Sequence, residues 1–207
     1  VVGVDHLPQP RFPFQFEQAD ALEVMADISY LRSFEVIHAS PPCQRYSPLV
    51  NVTDKEKRDR YPDHIPAVRA ALKKSKIPYI IENVPGAPLE DPLMLCGEVF
   101  GLEVVRHRLF ETDLPLFSRG CRHTRGGTVT GKYVAFRRDR EYPRRSEREY
   151  RTAMRVEWMT TKESRQAIPP AYTRYLGVQT LAVLWPSGYA ARRVSARASL
   201  QASHRQL

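Results

Sequence analysis

The chain has 207 residues, 42% hydrophobic and 27% charged, and its 32 lysines and arginines outnumber 23 acids for a net charge of +9. That length suits one full domain with a substantial core, and no apolar run approaches the roughly 18 residues that a membrane span needs, so a soluble protein is expected. Three cysteines (Cys43, Cys96 and Cys121) without a CxxC pair argue against a disulfide framework and for a reducing, cytoplasmic setting, while a basic excess with no acid after Glu163 points to a polyanionic partner or a solvated basic surface.

The first five residues, VVGVD, read as a buried strand ending in an acid; the chain opens on Val rather than Met, and an incomplete start is expected. ADALEVMADISYLRS carries Leu22, Val24, Met25, Ile28 and Leu31 at mostly helical spacing, and FEVIHA is a short β-branched run. HIPAVRAALKKS predicts a helix with Pro66 in its first turn and lysines near its end, where they complement the helix dipole. IPYIIENV and VVRHRLFET read as further strands. Strands separated by helices predict an α/β fold with a doubly wound parallel, Rossmann-like sheet, whose ligands sit at the carboxyl ends of the strands.

From Thr112 the periodicity fades into Pro, Gly and Arg, and FRRDREYPRRSEREYR mixes seven arginines with four acids. TTKESRQAI then opens on a capping box, Thr160 to Glu163, and PPAYTRYLGVQTLAVLW resumes helical spacing. The expected organisation is a core over 1–111, a small irregular insertion over 112–159, a return to the core over 160–186 and a basic flexible tail over 187–207.

Three features fall at the predicted strand ends: Asp5, the loop of Cys43, and the pair Glu82 and Asn83. A parallel sheet would place that pair beside the cysteine loop, so a thiol and a carboxylic acid would face one pocket. A free thiol is only a few per cent thiolate at neutral pH and needs a nearby positive group to act as a nucleophile. Arg106 and Arg108, on one face of the predicted strand, are the candidates, with His38 and Arg45 behind them.

The blocks GVDHLPQPRFPFQFEQADALE, SPPCQ, ENV, RHR and QAIPPAYTRYLG, in this order, resemble the cytosine-5 DNA methyltransferases, most closely small phage and bacterial members. The likeness runs from Val1 to about Trp185. It implies methyl transfer from S-adenosylmethionine to carbon 5 of a cytosine flipped out of double-stranded DNA, by a monomer whose insertion recognises the target. In that scheme Cys43 is the nucleophile that adds to carbon 6, and Glu82 is the acid that relieves charge at nitrogen 3. Asn83 orders the loop and the base, Arg108 meets the cytosine carbonyl, and Arg106 meets a phosphate or the nucleophile loop. Asp5, His6, Asp20, Pro41 and Tyr172 fall where the family binds the donor; Asp20 also reads as a helix N-cap, and burial alone would explain Tyr172. Pro41 and Pro42 would restrict the backbone that presents the sulfur.

One block of the family, Asp-x-Phe-x-Gly-x-Gly-Gly, which cradles the methionine part of the donor, has no counterpart in the sequence. An N-terminal truncation is therefore expected, with weak donor binding and little activity in this polypeptide alone. The alternatives are an RNA cytosine-5 methyltransferase and a degenerate DNA-binding remnant. GGTVTGK lacks the Ser or Thr of a phosphate-binding loop, and Cys121 and His123, with Cys96 more distant, lack a spaced second pair, so neither a nucleoside triphosphate nor a metal is expected. The arginine-rich segment from Arg137 to Arg151 reads equally as a DNA-lining surface and as an exposed helix of alternating charge.

Overall fold

The computed structural model describes residues 1–47, 55–121 and 147–186. The expected flexible tail and the greater part of the expected insertion, with His123 and the GGTVTGK block, lie outside the described residues. The fold is α/β, with a two-stranded sheet in the order β1-β2 and a four-stranded sheet in the order β3-β4-β6-β5. Two compact units divide the chain: Val1–Met94 with Arg108–Asp113, and Leu95–His107 with Leu114–Leu207. The second unit thus takes in Leu95–His107 in addition to the return segment. Among the described residues no helix is long and apolar enough to cross a membrane.

In the first unit, β1 (Val2–Asp5) pairs in parallel with β2 (Gln15–Gln18), Asp5 standing opposite Gln18. The segment between them is held close to β1: a Cβ on Gly3 would come within 2.7 Å of the Phe12 ring, which itself packs edge-on to Phe14. A side chain at position 3 would have to displace that ring. The helical periodicity of ADALEVMADISYLRS resolves into two short helices, α1 (Ala21–Ala26) and α2 (Ile28–Leu31), because Asp27 ends the first and caps the second through the Tyr30 amide at 3.0 Å.

β3 (Ile37–Ala39) pairs in parallel with β4 (Tyr79–Asn83), Ala39 opposite Ile81. Between them lie α3 (Lys55–Asp59) and α4 (Ile65–Ser75). The buried residues of α4 (Ile65, Val68, Leu72 and Ser75) recur at three- and four-residue spacing, and the left-handed Lys76, at φ 61°, ends the helix. Met25, Leu31, Ala39, Val68, Leu72, Tyr79 and Ile81 make one core cluster, so α1, α2 and α4 cover the sheet face that carries Ala39 and Ile81.

β6 (Arg108–Thr112) runs antiparallel to β4, with Glu82 opposite Phe110 and Asn83 opposite Leu109. The larger sheet is therefore mixed, where alternating strands and helices had suggested parallel strands throughout. Val84–His107 contains no α-helix, only the short edge strand β5 (Leu93–Leu95) and a 3-10 turn (Gly97–Phe100), and without a crossover helix the chain returns alongside β4 in the opposite sense.

Among its described residues the second unit contains that 3-10 turn and three helices, α5 (Glu147–Met154), α6 (Thr161–Gln166) and α7 (Pro170–Leu184). Thr160 caps α6 as expected: Thr160 Oγ1 accepts from the Glu163 amide and the Glu163 carboxylate accepts from the Thr160 amide at 2.7 Å. On α7, Tyr172, Leu176 and Thr180 are the buried stripe.

Candidate active site

The parallel pairing of β3 with β4 brings two strand ends to one edge of the sheet. Beyond Ala39 the chain turns through Pro41 and Pro42 to Cys43; beyond Ile81, its partner, come Glu82 and Asn83. A direct bond joins the two ends: the Asn83 side-chain amide donates to the Pro41 carbonyl at 2.9 Å, and Asn83 Oδ1 accepts from the Val84 amide at 3.0 Å. Asn83 is 1% exposed, so both bonds form away from competing water. Cys43 follows two residues later, half-buried, and its carbonyl accepts from the amides of Tyr46 and Ser47 at 3.0 Å each, forming the 3-10 turn Gln44–Tyr46. The cysteine thus stands between a tethered proline pair and a hydrogen-bonded turn.

Glu82 and Arg108 form an ion pair, Arg108 Nε to Glu82 Oε1 at 3.0 Å, with both residues buried at 8% and 9% exposure. The antiparallel register explains the contact. Glu82 opposes Phe110, so Arg108, two residues from Phe110, is its diagonal neighbour on the same sheet face. Asn83 alternates to the other face, which divides the labour: Asn83 ties the loop while Glu82 and Arg108 present a carboxylate and a guanidinium side by side.

Arg106 is placed differently from the expectation that it shares a face with Arg108. The strand begins only at Arg108, so Arg106 lies outside the ladder, in the second unit. There its guanidinium donates to Tyr150 Oη at 2.7 Å and to the Arg165 carbonyl at 2.8 Å, and its own carbonyl accepts from Tyr172 Oη. Tyr172 is fully buried, its ring 5.3 Å from that of Phe100. Of the remaining cationic candidates, Arg45 donates to the Tyr61 carbonyl at 2.9 Å, and His38 lies on β3 opposite Ile80.

Asp5 and Asp20 come to one edge of the small sheet. Asp5 ends β1, its carbonyl accepts from the Ala19 amide at 3.1 Å, and Asp20 is the next residue after that amide. The Asp5 carboxylate accepts from the Leu7 amide at 2.8 Å and from Gln9 Nε2 at 3.1 Å, with the exposed His6 ring 3.3 Å away. Asp20 caps α1, accepting from the Leu22 amide at 2.7 Å. Both carboxylates hold local structure, and both stand at the carboxyl end of a strand, where ribose hydroxyls and an exocyclic amine find acceptors.

A second cluster lies in the other unit. Cys96, His107 and Cys121 place their ligand atoms within 4.8 Å of one another, Cys121 Sγ standing 3.3 Å from His107 Nε2. Sequence spacing had paired Cys121 with His123 and set Cys96 apart. His107 stands between Arg106 and Arg108 in RHR, eleven residues from Cys96 and fourteen from Cys121, a spacing that no short ligand motif announces. Burial is the chief cause that pushes the Cys96 thiol up, and the neighbouring Cys121 adds to it.

No family model, curated protein or solved structure matches the chain.

Proposed function

We propose that this chain is the catalytic part of a cytosine-5 DNA methyltransferase, and that its two sheets belong to one doubly wound nucleotide-binding sheet. The observation that supports the reading is the Asn83–Pro41 tether, which ties the loop leading to Cys43 to the strand that carries Glu82, itself paired with Arg108. Cytosine presents an amine, a ring nitrogen and a carbonyl along one edge. Glu82, which takes up a proton from water as the base displaces it from Arg108, accepts from the amine through one oxygen and donates that proton toward nitrogen 3 through the other, while Arg108 donates to the carbonyl. A single base thus takes up the polar groups that satisfy each other at rest.

Cys43, as thiolate, forms a bond to carbon 6, and the ring electrons displaced toward nitrogen 3 are stabilised by Glu82. Carbon 5 becomes nucleophilic. S-adenosylmethionine, held by Asp5 and Asp20 through its nucleoside, supplies an electrophilic methyl group when bound. Loss of the proton from carbon 5 then breaks the bond to Cys43 and restores the aromatic ring. Extruding the base costs a few kcal/mol, which phosphate contacts from a chain of net charge +9 help to offset.

The test is a mechanism trap. The chain is incubated with S-adenosylmethionine and a duplex carrying 5-fluorocytosine, which has no proton to lose from carbon 5. A covalent protein–DNA adduct through Cys43, absent from Cys43→Ser, is the expected result. No adduct, or an adduct that survives Cys43→Ser, overturns the proposal; tRNA competing better than duplex DNA would move the substrate to RNA.

A further inference from the structure

We infer that Cys96, His107 and Cys121 form a zinc site that staples the second unit. Their donor atoms converge from three stretches of chain, with every separation at or under 4.8 Å and one of 3.3 Å. Around a tetrahedral zinc with bonds of about 2.0–2.3 Å, neighbouring sulfur and nitrogen ligands stand about 3.5–3.8 Å apart. Closing on an ion therefore asks for shifts of an ångström or less.

The local backbone is built for such a ligand. The amide of Glu98 hydrogen-bonds to the Cys96 sulfur, the arrangement that stabilises a metal-bound thiolate. The turn behind it is rigid: Val99 and Leu102 donate to the carbonyls of Cys96 and Gly97 at 3.2 and 3.0 Å, and Gly101 closes it at φ 65°. A Cβ on Gly97 would overlap the Val104 carbonyl oxygen, so the residue after the buried cysteine has to be glycine.

Ligand chemistry selects the ion. Two thiolates and an imidazole are borderline-soft donors that suit Zn²⁺ and exclude Mg²⁺ and Ca²⁺, and two thiolate charges neutralise the divalent ion. Cys96 is 1% exposed, which suits a structural centre better than one that turns over substrate. Among the described residues three protein ligands are in the cluster, and a fourth donor completes the tetrahedron. The bound ion would fix the segment 96–107 to Cys121 and close two loops at once. Neither Cys96 nor Cys121 is in a disulfide, as the site requires.

The full chain, purified under reducing conditions and loaded with Zn²⁺, is expected to retain about one equivalent of metal after desalting. Replacement by Co²⁺ should give thiolate-to-cobalt charge transfer in the near ultraviolet and strong visible bands of a tetrahedral centre. Cys121→Ser and His107→Gln should each weaken metal binding by more than about tenfold, since loss of a mere outer contact already costs that much. Hydrogen exchange at 97–104 should slow when metal is added to the wild-type chain. Failure to retain zinc, cobalt spectra without sulfur bands, or unchanged affinity in both variants would overturn the inference. So would a Cys96–Cys121 disulfide that persists in reductant.

Discussion

Replacing Arg69 by Met tests how the sheet beneath the candidate site is held. Arg69, on α4, grips Glu111 of β6 through Nε at 2.8 Å and Nη2 at 2.6 Å, and Nη2 also donates to the Pro88 carbonyl at 2.7 Å. Glu111 is 2% exposed and stands opposite Ile81, one residue before Glu82. Its other donors are the Glu90 amide at 2.9 Å and, more weakly, the Tyr79 hydroxyl at 3.5 Å. Methionine preserves most of the aliphatic stem, so the change removes the fork and leaves a buried carboxylate with only the amide and the distant hydroxyl. Breaking a buried pair in this way costs about 3–5 kcal/mol. The 14% exposure of Arg69, which lets some water reach the vacated position, favours the lower end.

The loss should depend on pH in a definite sense. Burial by itself pushes the Glu111 carboxyl up, but the Arg69 fork and the Glu90 amide outweigh it and hold the group below its ordinary range. A depressed carboxylate contributes stability above the unfolded value and loses it as pH falls through the folded one. Without Arg69, burial dominates and the group is raised instead. The variant's deficit is then full near neutrality and shrinks as the solution is acidified toward about pH 4, where Glu111 becomes neutral in the variant before it does so in the parent. Urea unfolding of both chains at about pH 7.5 and about pH 4 measures this. A deficit below about 1 kcal/mol, or one equal at the two pH values, would refute the reasoning; the double variant Arg69→Met, Glu111→Gln should recover about half the loss.

Asn83→Ala should cost about 1–3 kcal/mol by orphaning the buried Pro41 carbonyl, and should slow adduct formation at Cys43 in the 5-fluorocytosine trap more than it weakens duplex binding measured by anisotropy. Thr160→Ala should remove the capping box of α6 for about 1 kcal/mol in thermal unfolding, with Thr160→Ser largely neutral. Tyr172→Phe should lose about 1–3 kcal/mol through the unsatisfied Arg106 carbonyl while leaving donor affinity unchanged in a calorimetric titration, because the hydroxyl is committed inside the second unit.

Elements whose signals lie within a few residues were legible in the sequence. Thr160 and Glu163 close their box over one turn, Asp20 caps the helix that follows it, and α4 carries both its first-turn proline and its terminal lysines. What escaped was set by distant partners. β2, QFEQ, has too little apolar alternation to announce a strand; it forms because Val2–Asp5 offers a parallel edge. β5, LML, is three residues long and gains its identity from the sheet order alone. The direction of β6 is equally silent, since period-two alternation is the same in either sense and only the missing crossover helix decides it. Asp27 lies inside the helical run, and only its side-chain bond to the Tyr30 amide marks it as the cap of a second helix.

The two arginines flanking His107 make the same point for the site. Arg106 and Arg108 are two apart, and a strand through both would aim them alike, so periodicity could only assign them a common task. The ladder starts between them. Arg108 is therefore fixed by register against Glu82, whereas Arg106 spends its donors on Tyr150 and the Arg165 carbonyl and is fixed by helix packing. A guanidinium paired with a carboxylate can exchange that partner for a polar ligand edge when both groups turn to the ligand together. On the proposed reading, chemistry would therefore rest on Cys43, Glu82 and Arg108, and the stretch from Arg106 to Arg108 is where the chain passes from the second unit to the first.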